Sequence, residues 1–324
     1  MSQSRLSLAL EQGLVSQPEG GVAVLRPPMG FDLSAFDKEQ VHVSHSFRPD
    51  HDYWRDMGYA TGTKAEPAGL AVVVVPRSKA LARALVAEAA GLAPLVVIDG
   101  QKTDGVDSLF KDIRKKVGEL ASITKSHGRL FAIQSASIDL SAWAEPEPIR
   151  GPDGFITRAG VFSEGGVDRG SALLAATLPA KLPGRVADLG AGWGYLSAAI
   201  LKCDGVTHLD LIEAEAMSLD CARKNIPDPR AAFHWADATR WTPDVKYGAV
   251  VCNPPFHVGR NADTSLGRSF IAAAAGMLNA GGQLWLVANR HLPYETTLRE
   301  RFVKVEEVSG DSAFKVFHAV RPRK

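Results

Sequence analysis

Apolar positions in the first half of the chain fall into short runs broken by polar turns, with two stretches at helical spacing between them. Strands are predicted near 22–26, 40–44, 70–75, 95–99 and 129–134, and helices near 78–91 and 105–119. Leu70-Ala71-Val72-Val73-Val74-Val75 is apolar at every position, as in a parallel strand covered on both faces. It is also far too short to span a bilayer. Residues 143–159 carry Pro146, Pro148, Gly151, Pro152 and Gly154, which is linker composition. The second half then repeats the strand–helix alternation. It has a helix over 171–178, strands at 185–189, 207–212, 232–235, 248–252 and 283–288, and helices at 195–201, 214–225 and 264–278. Strands alternating with helices predict layered α/β architecture. The expectation is two tandem α/β domains, 1–150 and 151–324, the second Rossmann-like and the first a degenerate copy of it.

Polar residues in the second half gather where strands end. Arg185-Val186-Ala187-Asp188-Leu189 runs into Gly190, Gly192 and Gly194 and then into an apolar helix. Glycines there let the backbone approach a ligand closely. A dinucleotide G-x-G-x-x-G motif would need glycine at 195, which is Tyr195, so nicotinamide is disfavoured. Glu213 ends the next strand 23 residues after Gly190, near the spacing at which a carboxylate meets a ribose diol. Asp237 follows the next strand, where an adenine amino group would find an acceptor. Asn253 ends the strand after that, 16 residues later. Ligands of open α/β sheets bind outside the carboxyl ends of strands, and four successive strands here finish in ligand-capable groups.

Asn253-Pro254-Pro255-Phe256 is the most specific of these features. The Asn253 side-chain oxygen and the Pro254 carbonyl can each accept one N–H of a planar –NH₂ group. The prolines fix φ and aim those acceptors, and Phe256 offers a face for stacking a base. A bare Asn-Pro dipeptide usually marks only a turn; the register of Asp188, Glu213 and Asp237 lifts this one above that reading.

Composition narrows the class without choosing the reaction. The chain has 324 residues, 45% hydrophobic and 23% charged, which suits two globular domains. Net charge is +1 overall, −1 for residues 1–150 and +2 for the rest, so any nucleic-acid binding must come from local patches. Lys111, Arg114, Lys115 and Lys116 form one such patch on a predicted helix; Arg260 with Arg268, and Arg321, Arg323 and Lys324, are others. Three cysteines (Cys203, Cys221, Cys252) lack metal spacing and read as reduced packing residues. His42, His45 and His51 lack a carboxylate or thiol at ligand spacing, so no metal is expected. With no signal peptide visible in Leu6-Ser7-Leu8-Ala9-Leu10, a cytoplasmic protein is expected, without membrane association and as a monomer.

Several longer segments resemble one known family. They are 160–174 (Gly160-Val161-Phe162-Ser163-Glu164-Gly165-Gly166-Val167-Asp168 onward), Asn253-Pro254-Pro255-Phe256-His257, Val287-Ala288-Asn289-Arg290-His291-Leu292-Pro293-Tyr294, and Phe314-Lys315-Val316-Phe317-His318-Ala319-Val320. Together they resemble class I S-adenosylmethionine-dependent methyltransferases, and within them the ribosomal RNA guanine-N2 methyltransferases of the RsmC/RlmG type. The resemblance covers most of 155–320, and more faintly Gly100 to Val106. It implies S-adenosylmethionine as cofactor, with Phe162 and Asp168 near its methionine end, and Asp188, Gly190, Gly192, Gly194, Glu213, Asp237 and Asn253 around it. It implies that Asn253, Pro254 and Phe256 handle the target amine. It further implies ribosomal RNA as partner, most simply 16S rRNA of the small subunit, with a first half that helps hold RNA. Two positions depart from the pattern: Trp193 stands where a small residue is usual, and Glu213 where Asp is usual. The amine clamp alone would also suit a 23S guanine, a DNA adenine N6 or a protein glutamine. From another class, a non-catalytic RNA-binding assembly factor would keep the fold but has no need of Asp188 and Asn253.

Overall fold

The computed structural model describes every residue except 1, 2, 146, 147, 149, 256, 259, 260, 263 and 324. The chain divides into two compact units, Met1–Glu147 and Pro148–Lys324.

The first unit contains α1 (Arg5–Glu11), β1 (Val22–Leu25), β2 (Val41–Ser44), α2 (Arg48–Asp56), β3 (Ala60–Gly62), β4 (Leu70–Val74), α3 (Lys79–Leu92), β5 (Leu95–Gln101), α4 (Val106–Val117), β6 (Ser122–Lys125) and β7 (Gly128–Gln134). Its sheet runs β3-β2-β1-β4-β5-β7-β6. The first five are parallel and β7 is antiparallel to both neighbours. β1 is buried at all four positions, as its unbroken apolar run requires. α4 buries Val106, Leu109, Phe110 and Ile113, one stripe at i, i+3, i+4 and i+7. That leaves Lys111, Arg114, Lys115 and Lys116 exposed on the other side.

The second unit contains α5 (Arg169–Thr177), β8 (Arg185–Leu189), α6 (Tyr195–Ile200), β9 (His208–Glu213), α7 (Ala216–Asn225), β10 (Ala231–Trp235), β11 (Tyr247–Cys252), the two-residue strands β12 (His257–Val258) and β13 (Asn261–Ala262), α8 (Thr264–Met277), β14 (Leu278–Asn289), α9 (Glu295–Arg301), β15 (Phe302–Gly310) and β16 (Phe314–Pro322). Its main sheet runs β10-β9-β8-β11-β14-β16-β15, with β16 antiparallel to both neighbours. Position for position this is the strand order of the first unit. Apolar clusters cover both faces: one centres on Tyr247, Phe270, Ile271 and Leu286, the other on Leu174, Val186, Leu211 and Val251.

The repeated order makes the two units comparable strand by strand. After β8 the chain enters Gly190 at φ +73°; after β1 it enters Arg26 at φ +56°. The left-handed turn is kept, but it carries a side chain, and the Arg26 guanidinium donates to the Ser46 hydroxyl. Asn253 follows Cys252, which pairs with Leu189; at the same register in the first unit Val74 follows Val73, which pairs with Leu25, and its side chain accepts nothing. A cleft of about 300 Å³ persists at the strand ends of the first unit, lined by Arg26, His45, Arg77 and Asp99 among others. His45 is buried there, its Nδ1 accepting the Phe47 N–H; burial, with help from the Arg26 charge, pushes its pKa down to about 3. Among the described residues no group of His, Cys, Asp and Glu is arranged to hold a metal ion.

Candidate functional site

The glycine loop follows β8, between α5 and α6. Gly190, Gly192 and Gly194 have φ of +73°, +56° and +94°, a backbone that side chains strain. A Cβ at Gly194 would come within 3.0 Å of Ile226, whereas above Gly192 there is open space. Beside the loop lies a cleft of about 50 Å³, lined by Phe162, Ser163, Asp168, Ser171, Gly190, Ala191, Gly192, Trp193, Tyr195, Leu196 and Asn253. Residues from the 160–171 segment, the loop and the end of β11 therefore meet at one place.

Asn253 is held by its amide nitrogen. Nδ2 donates to Asp168 Oδ2 at 3.0 Å and to Ser171 Oγ at 2.9 Å. Asp168 also caps α5, its Oδ2 accepting the Ser171 N–H at 2.8 Å. Pro254 is buried and Pro255 exposed. Phe256 lies outside the described residues, as do Arg260 and Lys324.

Glu213 ends β9 with both carboxylate oxygens already engaged by backbone. Oε2 accepts the Gly192 N–H at 2.8 Å, and Oε1 accepts the Glu215 N–H at 2.7 Å, before α7. The acid thus ties the glycine loop to the neighbouring strand end. Burial raises its pKa, against the pull of those N–H donors. Asp237 is half-buried; its Oδ1 accepts from the Thr239 N–H and hydroxyl. Neither bond uses Oδ2.

Asp188 sits lower, inside β8, fully buried. The Ser197 hydroxyl donates to its Oδ2 at 2.7 Å, while Oδ1 is buried without a partner. Burial, reinforced by the Glu213 charge, pushes its pKa up to about 7. Its neutral form is therefore the one folding favours. That contribution is complete below about pH 4 and is lost as pH rises through about 7. Asp188→Asn should remove the dependence. Between pH 5 and 9 its stability should gain on wild type by on the order of a few kcal/mol, read from thermal melts across the series.

Trp193 contributes to the cleft wall, but most of its ring is not in the cleft. It turns back into the protein, buried against Val161, Phe155 and Tyr195, and its indole N–H donates to the Phe162 carbonyl at 3.0 Å. Phe162 itself is 58% exposed at the cleft rim. Asn225, the last residue of α7, completes the tie. Its amide bonds the Ile156 N–H, the Ile156 carbonyl and the Trp193 carbonyl. Nothing in the sequence marks Asn225 or Ser171 beyond helix-end positions, because their partners lie far along the chain. Cys252, beside Asn253, is buried, and its thiol pKa is raised well above the ordinary range, so it packs rather than reacts.

Comparison with known proteins places this site in a family. Residues 153–318 match the methyltransferase small domain. Ribosomal RNA small subunit methyltransferase C of Shewanella pealeana is 32% identical over 262 residues, covering 77% of this chain and 76% of that protein. Its counterpart from Shewanella sp. (strain MR-4) is 34% identical over 232 residues, 68% of this chain and 67% of that one. The chain belongs to the ribosomal RNA small subunit methyltransferase C family. A solved T. thermophilus relative, described as a 16S rRNA N2 methyltransferase (RsmC) in complex with AdoMet and guanosine, superposes with a TM-score of 0.79 over 98% of this chain and 92% of that one. At 24% identity it shows that the two share a fold. The shared fold covers 98% of this chain, and so includes both seven-stranded units. Among the described residues of this member, no helix is long and apolar enough to cross a membrane.

Proposed function

We propose that the chain transfers the methyl group of S-adenosylmethionine to the exocyclic N2 amine of a guanine in ribosomal RNA, namely 16S rRNA of the small subunit. The observation that carries this reading is Asn253 in the same cleft as the glycine loop, at the carboxyl edge of the sheet. Family membership supplies the substrate class.

The residues present fit the cofactor. The space above Gly192 is open, Glu213 is pre-aligned by two backbone donors, and Asp188 Oδ1 is a buried acceptor without a partner beneath the loop. In this reading Glu213 holds the ribose hydroxyls and Asp237 lies near adenine. Phe162 and Asp168 flank the methionine end, and Gly190, Gly192 and Gly194 let backbone close on it. When bound, S-adenosylmethionine supplies an electrophilic methyl group on a sulfonium.

The protein's own work is done on the amine. Guanine N2 is a weak nucleophile because its lone pair is delocalised into the ring. Asn253 Oδ1 and the Pro254 carbonyl accept its two N–H groups, favour the positive charge that builds on nitrogen, and fix the line of attack. No strong base is needed. The guanine must leave its stack to reach the cleft, and Phe256 offsets part of that cost by stacking, on the order of 1–3 kcal/mol.

In the same reading the enzyme works in the cytoplasm as a monomer without a metal, and its three free cysteines suit a reducing compartment. The first unit positions RNA by pairing basic side chains with phosphates. Support comes from the exposed Lys111, Arg114 and Lys115 of α4 and from Val74 standing, by strand register, where the clamp would need a side-chain acceptor. Replacing those three basic residues with Ala should weaken rRNA binding and make its dependence on salt shallower, by about 0.7 in log–log slope for each phosphate no longer neutralised. Cofactor affinity should not change. Filter binding across a salt series reads both, and an unaltered slope would reduce this face to a solvated one.

A further inference from the structure

The bonds around Asn253 determine which end of its amide the substrate meets. A carboxylate only accepts hydrogen bonds, so Asp168 Oδ2 at 3.0 Å must face the Asn253 –NH₂ and not its oxygen. Ser171 Oγ at 2.9 Å takes the second amide hydrogen. Both Nδ2 hydrogens are then engaged on the α5 side, and Oδ1 is the end left for a ligand. With the amide reversed, a donor would face the donor hydrogens of the amine, and an oxygen would face a carboxylate. We propose that Asp168 and Ser171 are positioning residues that fix the polarity of the Asn253 amide, so that the site presents an acceptor to an amine.

This rests on the amine-clamp reading and gives it a chemical consequence. Asp168 serves two purposes through one atom, since Oδ2 also takes the Ser171 N–H that starts α5. The start of the helix and the orientation of the reacting-site amide are therefore set together. Ser171 is 8% exposed and reinforces the choice, but a hydroxyl works in either direction, so the carboxylate decides it.

The test uses the full chain, small-subunit rRNA from cells lacking the gene, and saturating S-adenosylmethionine. Asp168→Ser keeps a helix cap but is too short to hold Asn253; its kcat should fall about 10- to 100-fold, with a melting temperature close to wild type. Asn253→Asp alone places two carboxylates where a donor met an acceptor, and should fall at least as far. In the double variant the clash is gone, and a carboxylate presents an acceptor whichever way it turns. The Asp168→Ser/Asn253→Asp enzyme should therefore recover about tenfold over either single variant. A merely structural role for Asp168 predicts the opposite, with the two losses compounding. Ser171→Ala, which leaves Asp168 in place, should lower kcat about threefold to tenfold with cofactor affinity unchanged. Wild-type turnover in Asp168→Ser or Ser171→Ala, or a double variant no better than its parents, would overturn the proposal. If those results accompany an inactive Asn253→Ala, the amine clamp survives and only the positioning role is lost. If Asn253→Ala is itself fully active, the clamp fails first.

Discussion

Asn253→Ala should bind S-adenosylmethionine within about twofold of wild type and turn over about 10²- to 10³-fold more slowly, the scale for removing one preorganised polar group from a developing charge. The separation follows from where the side chain sits. Asn253 ends β11, held by α5 through Asp168 and Ser171, whereas the glycine loop is held from the other side by Glu213. Removing the amide takes away an acceptor for the amine but leaves the loop and its anchor in place. Calorimetry gives the affinity and single-turnover methylation the chemical step. Loss of cofactor binding in step with activity would move Asn253 from the amine to the cofactor.

Glu213→Ala should give the complementary result, a loss of cofactor affinity of about 10- to 100-fold for each charge-assisted bond removed, at about 1.5–3 kcal/mol per bond. Two causes act together. On the proposed reading the ribose loses its acceptor, and the Gly192 N–H loses the carboxylate that holds it at 2.8 Å, so the loop is no longer set in advance. Glu213 also gives the affinity a pH signature. Its pKa is raised by burial, and a ligand diol favours the ionised form. Wild-type affinity should therefore decline as pH falls through that raised value, earlier than for an exposed glutamate. Glu213→Gln should be flat over the same range. Unchanged affinity in Glu213→Ala, or identical pH profiles for wild type and Glu213→Gln, would remove Glu213 from the ribose.

Much of this fold is legible in the sequence because its central strands are buried on both faces. Leu70 to Val74, Arg185 to Leu189 and Tyr247 to Cys252 read as strands from apolar content alone, and α3, α4 and α8 from their spacing. Of the four sheet edges, β10 is legible as the strand at 232–235, but β15, β3 and β6 are not. β15 alternates charges such as Lys304, Glu306 and Glu307 along an exposed rim, a pattern that keeps an edge from pairing with other chains and that reads as loop. β3 and β6 are three and four residues long with little burial. β14 starts at Leu278, earlier than its apolar run, and its register against β11 shifts between Tyr247 and Ala249.

The site divides in a similar way. Positions at strand ends can be read from spacing, because the sheet brings them to one edge whatever the loops do. Their partners cannot. Asn253 meets Asp168 and Ser171 across more than 80 residues, and Asn225 meets Ile156 across 69. The burial of the Trp193 ring depends on packing with Phe155, Val161 and Tyr195. Arg26-Pro27-Pro28 reads in the sequence as a superficial echo of Asn253-Pro254-Pro255. The strand registers instead set Arg26 against Gly190, and Val74-Val75-Pro76 against Asn253-Pro254-Pro255.

The most direct test of the central claim is to map methylated nucleosides in ribosomal RNA from cells with and without this gene. Mass spectrometry of nuclease fragments should show one N2-methylguanosine of 16S rRNA disappearing on deletion and returning with wild-type protein, but not with Asn253→Ala. An intact set of 16S methylguanosines in the deletion strain, or a loss confined to 23S rRNA or DNA, would contradict the account.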